Sequence, residues 1–555
     1  MASSRPPVIA PHGVVAAAHP IAAISGLRML LDGGNAIDAA VAVAATLNVV
    51  EPYMSGIGGV GLMMITLADG RQRALDYASH SPAGARPELY RADHLHLSKG
   101  PLSPLVPGNC AGWLTALETH GTMGRARVFA PAIEYAESGW PVTPKNVEFV
   151  TSSLPIMDDA GKANFAPHGR PPKVGEIIRQ RELARTFREV VEGGQEPFYR
   201  GAIARAIAED VQKRGGILTY EDMAAYRPLW VEPIRTTYRG FEVATLPPPC
   251  CGIQYLQTLG ILEGWDVAAM GHGSVDHVHL MAEAIKVAVA DRTHYMVRQD
   301  YPVAGLLDKR YAAIRQREVD MARARPSRGD RWHAYEDPAA IKSGDPNRLL
   351  HEQTTSFSVV DRWGNAVTVT QSLGGGFGSG MCVGGTGVFL NNFSAWFDLD
   401  PASPNVIGPN RRSAMCLAPA HVRRDGRLAL AIGTPGGYGI LQTTAQMLSN
   451  WIDFGMNTQE AIDMPRMRAI VPTGDDARML TEERPMAANN GAEIMIESRY
   501  STETLAGLEA RGHRVTRLGE WTAAVGGGQG VSIDPESGAR IGGADPRRDG
   551  VAVGH

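Results

Sequence analysis

The sequence predicts an α+β fold, and three observations carry that prediction. Residues 110–230 read mainly as helix, for example in VFAPAIEYAESGW and IARAIAEDVQKRGG. From Thr354 onward the texture turns to alternating strand, in SFSVVD, AVTVTQS, GVFLNN and AHVRRDGRLALAIG. Between the two lies a charged stretch, residues 316–350, rich in Asp, Arg, Gly and Pro and poor in apolar periodicity. It reads as an exposed, mobile linker that runs to residue 353.

The elements follow in order. Residues 19–50 read as two helices. The first ends at Gly33-Gly34, where glycine takes a left-handed cap. Asn35 caps the second, with Asp38 in its first turn near the positive end of the dipole. That second helix, AIDAAVAVAATLNVV, is Ala-rich and too short to span a bilayer, so it reads as a buried helix. LMMITL and RQRALDY, joined at Asp69-Gly70, form a hairpin. IRTTYRGFEVATLPPP gives a second strand pair, stopped by three prolines. Apolar spacing over 275–298 gives a long amphipathic helix. Gly364-Asn365 turns the first strand after Thr354 into the next. Two helices follow near 440–455 and 458–463, and GHRVTRLGE, AAVGGGQGVSID and RIGGADPRRDG close the chain. No repeat of fixed period is present.

Composition bounds the function. On a prior of roughly 100–200 residues per domain, 555 residues suggest two to four units, or fewer large ones. A content of 44% hydrophobic and 20% charged residues is that of a globular protein, and a net charge of −4 argues against a nucleic-acid or anionic-membrane binder. The N-terminal MASSRPPVIAPHG has no apolar core of a secretory signal. The five cysteines, Cys110, Cys250, Cys251, Cys382 and Cys416, form no CxxC pair, so reduced thiols and a cytoplasmic setting are expected.

Three adjacent hydroxyl residues, Thr354, Thr355 and Ser356, stand at the mouth of the strand that follows the linker. A polar strand lip is one explanation. A nucleophile is the other, and a threonine hydroxyl needs a base beside it. No GxSxG elbow or triad spacing supplies one. Cleavage of the Gln353–Thr354 bond would, because the freed α-amine then sits within reach of its own side-chain oxygen. Downstream, IGTPGGYG (432–439) places Gly436 and Gly437 after a strand and a Pro turn, where bare backbone N–H groups can face an oxyanion. A tight glycine turn without chemistry fits the same residues.

The run TTSFSVVDRWGNAVTVTQSLGGGFGSG, followed by GTGVFLNN and GTPGG, resembles the gamma-glutamyltransferase (glutathione hydrolase) family of N-terminal nucleophile hydrolases. The resemblance extends over almost the whole chain, through GVVAAAHPIAAISGLRMLLDGGNAIDAAVAVAATLNVVEPYMSGIGG, PAIEYAESGWPV, LTYEDMAAYRP and HLMAEAIKVAVADR. It implies an αββα sandwich built by two subunits of one precursor, 1–353 and 354–555. It implies Thr354 as the nucleophile, Ser372 as the hydroxyl bonded to the nucleophile's amine, and Gly436 and Gly437 as the oxyanion hole. Thr355 either supports Thr354 or serves the strand. Neither a cofactor nor a metal is implied.

The glutamate-binding positions depart from the family. Its carboxylate-binding arginine falls on Ala78, in LDYASHSP. Its amine-clamping asparagine, glutamine and aspartate fall on Gly374, Phe393 and Trp396. Its serine pair falls on Met415 and Cys416. A zwitterionic head group needs opposite charges and directed donors, because an unpaired buried charge is prohibitively costly. His80, Arg411 or Arg412 offers an alternative anion anchor, although a solvated face suits the two arginines as well. GIGGVG (56–61) follows a helix and opens a strand, the reverse of a dinucleotide-binding unit. His94/His96 and His277/His279 are spaced i, i+2 and diverge on a helix, against a shared metal.

The expectation is therefore a self-processing amidohydrolase or acyltransferase acting on a small-molecule acyl or amide substrate other than a glutamyl one, with water or an amine as acceptor. The alternatives are a glutathione hydrolase with another carboxylate anchor, and a processing-dead homologue that only binds. Nucleic acid and membrane are not expected partners.

Overall fold

The computed structural model describes residues 3–91, 93–295, 301–324, 353–401, 403–470 and 493–555. Two seven-stranded antiparallel sheets form its centre. Across the first, the strands run Val551–Gly554, Val14–Ala17, Gln353–Val360, Ala366–Gly374, Val60–Thr66, Gln72–Tyr77 and Leu229–Val231. Across the second they run Val8–Ala10, Arg540–Ala544, Gln529–Ile533, Arg427–Gly433, Ala420–Arg424, Phe241–Thr245 and Ile234–Tyr238. The helices Pro20–Leu31, Ala36–Val50 and Arg125–Ser138 pack together on the first sheet's side, with Ala36–Val50 touching its two central strands. Ile253–Leu262, Val275–Tyr295 and Gly439–Ile452 group on the side of the second. This is the αββα arrangement, and the chain is an α+β protein.

Strand periodicity builds the layers. Successive side chains leave a strand on opposite faces. On Gln353–Val360, Phe357 and Val359 join the apolar core around Ala36–Val50. Ser356 and Ser358 turn to the second sheet: Ser358 Oγ donates to Gln529 O at 3.0 Å, and a Cβ on Gly433 would lie 2.3 Å from Ser356 Oγ. The sheets approach so closely there that only glycine fits.

The helix Ala36–Val50 is buried along its whole length, as an all-round apolar sequence requires. Asn35 Oδ1 accepts from Ile37 N and Asp38 N, while Asp38 Oδ2 accepts from Asn35 N. A capping box of this kind contributes about 1 kcal/mol. Both expected hairpins form, Val60–Thr66 with Gln72–Tyr77 and Ile234–Tyr238 with Phe241–Thr245.

Segments from both halves of the chain share both sheets, which suits the fewer, larger units that the length also allows. Two expectations are corrected. Of the expected linker, residues 325–352 lie outside the described residues, but 316–324 is folded. Gln316 ends a helix, Asp320 O lies 2.8 Å from His279 Nε2, and Ala324 N donates to Arg511 O at 2.7 Å. The sequence also predicts no strand before residue 19, yet Val14–Ala17 pairs with Gln353–Val360 on one side and Val551–Gly554 on the other. The five cysteines are buried. No helix among the described residues is long and apolar enough to cross a membrane.

Candidate active site

Thr354 lies one residue inside the strand Gln353–Val360 and is 3% exposed. Its pairing with Ala366–Gly374 slips there: Gln353 faces Gly374, whereas Thr355 faces Gln371. Two steps on one strand oppose three on the other, an irregularity that re-aims the intervening side chain. Thr354 Oγ1 points to Ser372 Oγ at 3.4 Å, and Ser372 Oγ accepts from Gly374 N at 2.8 Å. The two hydroxyls picked out in the sequence, 18 residues apart, are thus brought together.

Gly436 and Gly437 follow the strand Arg427–Gly433, which packs against both Gln353–Val360 and Ala366–Gly374. Both glycines have positive φ, +130° and +53°, where a Cβ is strained. Their carbonyls accept from Gly439 N and Ile440 N, which starts the helix Gly439–Ile452. Among the described residues, neither glycine N–H donates to a protein acceptor. A second glycine run backs the turn: Gly526 Cα lies 3.5 Å from the place of a Gly436 Cβ, and Gly527 N donates to Thr434 Oγ1 at 2.9 Å.

The substituted ligand positions form an apolar wall beside this set. Ala78, Phe393, Met415 and Cys416 are each at most 2% exposed and share one core cluster, with Trp396 packed against it. The Phe393 and Trp396 ring centroids are 4.5 Å apart, and a Cβ on Gly374 would lie 3.4 Å from Trp396. Met415 is pinned by backbone hydrogen bonds to Pro249 and Cys251. The Tyr438 hydroxyl, next to Gly437, donates to Ala414 O at 3.5 Å. Arg412, a possible anion anchor, is instead ion-paired with the buried Asp76, while Arg411 is exposed. His80 is partly exposed, with Nδ1 3.0 Å from Ser81 O.

Two ionisable residues at the site escaped the sequence reading. Glu51, 2% exposed at the end of the helix Ala36–Val50, accepts from Thr355 Oγ1 at 2.8 Å. Burial raises its carboxyl to about 7, against the opposing pull of the Thr355 hydrogen bond and Arg548. Arg548, 7% exposed, donates to Thr354 O at 3.2 Å. Beneath the glycine runs lies a buried ionic network. Arg466 and Arg547 both pair with Asp545, Arg547 also holds Glu497 through two bonds of 2.6 and 2.7 Å, and Asp545 accepts from Gly528 N at 2.8 Å.

His277 and His279 diverge as their spacing implies: His277 Nδ1 accepts from Gly273 N, whereas His279 Nδ1 lies 2.8 Å from His513 Nε2. His279, Glu283 and His513 bring their ligand-type atoms within 4.8 Å of one another. His279 Nε2 faces Asp320 O and Glu283 is ion-paired with Lys286 at 2.5 Å, so these side chains already serve as partners for their surroundings.

Comparison with known proteins gives a consistent result. The family profile described as gamma-glutamyltranspeptidase matches residues 22–555. The chain is 35% identical to the glutathione hydrolase proenzyme of Escherichia coli, over 99% of this chain and 93% of that protein. It is also 35% identical to the acylase ACY 1 proenzyme of Pseudomonas sp. strain SE83, over 99% and 94%. Among solved structures, the cephalosporin acylase of Bacillus halodurans superposes with a TM-score of 0.87 at 33% identity, covering 100% of this chain and 98% of the acylase.

Proposed function

The chain belongs to the gamma-glutamyltranspeptidase family of N-terminal nucleophile hydrolases, and from that premise we propose that it is a self-processing acylase that works through Thr354. The observation that carries the reading is Thr354 Oγ1 facing Ser372, on strands packed against the one that leads into a positive-φ glycine pair with unused N–H groups. Cutting at Gln353–Thr354 frees an amine on the nucleophile itself. That amine takes the Oγ1 proton as Oγ1 adds to the substrate carbonyl, and the Gly436 and Gly437 N–H groups stabilise the oxyanion. The protonated amine then hands its proton to the leaving amine. Water or an amine acceptor attacks the acyl-threonine ester and restores the hydroxyl.

The acyl group is apolar or aromatic rather than γ-glutamyl. Ala78, Phe393, Met415 and Cys416 supply no charge, and Arg412 is committed to Asp76. A free α-carboxylate and α-ammonium buried against such a wall would be left unpaired. The names of two relatives, an acylase and a cephalosporin acylase, are in keeping with this. A second reading, glutathione hydrolysis, is favoured by the Escherichia coli relative and would use Arg411 or His80 as the carboxylate anchor.

The test has two parts. Thr354→Ala is expected to remain one uncut band on a denaturing gel, and cutting of that variant at the normal site removes the proposal. Release of p-nitroaniline from hydrophobic acyl anilides is expected to exceed release from the γ-glutamyl anilide. The opposite order selects glutathione hydrolysis.

A further inference from the structure

Self-cleavage poses a problem that the mature enzyme does not. In the uncut chain the nitrogen of Thr354 is an amide and cannot act as a base. The reaction then depends on how accurately Oγ1 is aimed at the Gln353 carbonyl carbon. Addition forms the Oγ1–C bond, the C–N bond breaks, and the hydroxyl proton ends on the departing nitrogen. Water then hydrolyses the ester, leaving a carboxylate on Gln353 and a free hydroxyl on Thr354.

The register slip between Gln353 and Thr355 falls at this bond. Two buried charged side chains fasten the backbone there. Arg548 holds the Thr354 carbonyl oxygen, and Glu51 holds the Thr355 hydroxyl. They come from opposite ends of the chain and from the two segments that the cut would separate. We propose that Glu51 is a positioning residue for self-cleavage, fixing the irregular turn of backbone at Thr354 through Thr355 on one side and through the charge of Arg548 on the other. This rests on the self-processing reading above.

A structural carboxylate on a strand-end hydroxyl would usually be placed where water can solvate it. Glu51 is enclosed, and the groups that act on its charge are few. Thr355 donates to it, Arg548 favours the charged form, and Asp549 opposes that form. Tyr53 lies close enough to feel the Glu51 charge, and its hydroxyl accepts from Asn146 Nδ2 at 2.9 Å. The carboxyl changes charge near neutral pH. Above that pH it is an anion that balances Arg548 beside Thr354 O. Below it the balance is lost, and the hold on the backbone loosens.

The experiment follows conversion of freshly translated precursor to the two fragments between pH 6 and 8.5. Wild type is expected to cut faster as pH rises through about 7. Glu51→Gln is expected to cut at least about tenfold more slowly, with that pH step gone, and Glu51→Asp to restore part of both. Wild-type rate and pH profile in Glu51→Gln would overturn the inference. Should Glu51→Gln fail to fold, Thr355→Val decides, since it removes the hydroxyl through which Glu51 acts and leaves Glu51 itself in place: slower cutting supports the inference and unchanged cutting overturns it. Thr354→Ala runs alongside. Cutting in that variant defeats the self-processing reading itself, whereas an intact Thr354→Ala with a normal Glu51→Gln defeats only the role of Glu51.

Discussion

The two sides of Thr354 are built from different materials. On the side of the glycine runs, charged groups are buried in numbers: Asp545, Arg466, Arg547 and Glu497 are each at most 1% exposed, and each is bonded to another. On the side of Phe393, Met415 and Cys416, the interior is apolar, and Arg412 is taken up by Asp76. On the proposed function, the difference separates two tasks. Holding backbone N–H groups still for an oxyanion calls for rigid, directional bonds, whereas accepting an apolar acyl group calls for a surface without unmet charge.

Variants can break this division, in order of expected effect. Thr354→Ala removes the proposed nucleophile and should lower turnover by at least about 10³-fold, measured on hydrophobic acyl anilides. Asp545→Asn uncouples Arg466 and Arg547 at once. Breaking one partner out of a buried pair costs about 3–5 kcal/mol, read as a lower denaturant midpoint. Gly436→Ala at φ +130° must shift the turn and should cost about 10²-fold in kcat with KM less affected. Met415→Ser should leave cutting intact and lower the ratio of hydrophobic acyl to γ-glutamyl turnover by roughly tenfold.

Glu51 sharpens the comparison because it is an enclosed carboxyl without a salt bridge among the described residues. Its native value of about 7 lies above the ordinary 4.5, so between those limits the folded state binds more protons than the unfolded one. Stability therefore falls as pH rises through that window, by roughly 3 kcal/mol in all. The cost is absent below the ordinary value and complete above about 7. Denaturation of Thr354→Ala with and without Glu51→Gln, at pH 5 and pH 8, should show a smaller pH dependence in the double variant.

Much of the fold was legible because its signals are local. The capping box at Asn35, the turn at Asp69-Gly70 and the alternation after Thr354 each reside in a few consecutive residues. Val14–Ala17 was not legible: four residues, all apolar and all buried, carry no alternation to read. At the site, the hydroxyl cluster and the glycine pair Gly436 and Gly437 stood out in the sequence, and Ser372 was reached through the family resemblance. Glu51 and Arg548 were beyond reach, because they meet Thr355 and Thr354 across separations of 304 and 194 residues. A glutamate closing an apolar helix, in NVVEPYMSG, was the one available signal for Glu51. For Asp545 and Arg547, charge by itself gives no sign of burial. Partners at 466 and 497 decide it.

The strand Val14–Ala17, seated between Gln353–Val360 and Val551–Gly554, carries a consequence for the life of the molecule. With the bond before Thr354 severed as proposed, these neighbours belong to separate polypeptides woven into one sheet, with no tether to reunite them after they come apart. Folding of the precursor is a one-body event, whereas recovery of the cut enzyme is a two-body encounter whose yield depends on concentration. Heating the mature protein should therefore be far less reversible than heating its uncut Thr354→Ala counterpart, and the gap should widen on dilution.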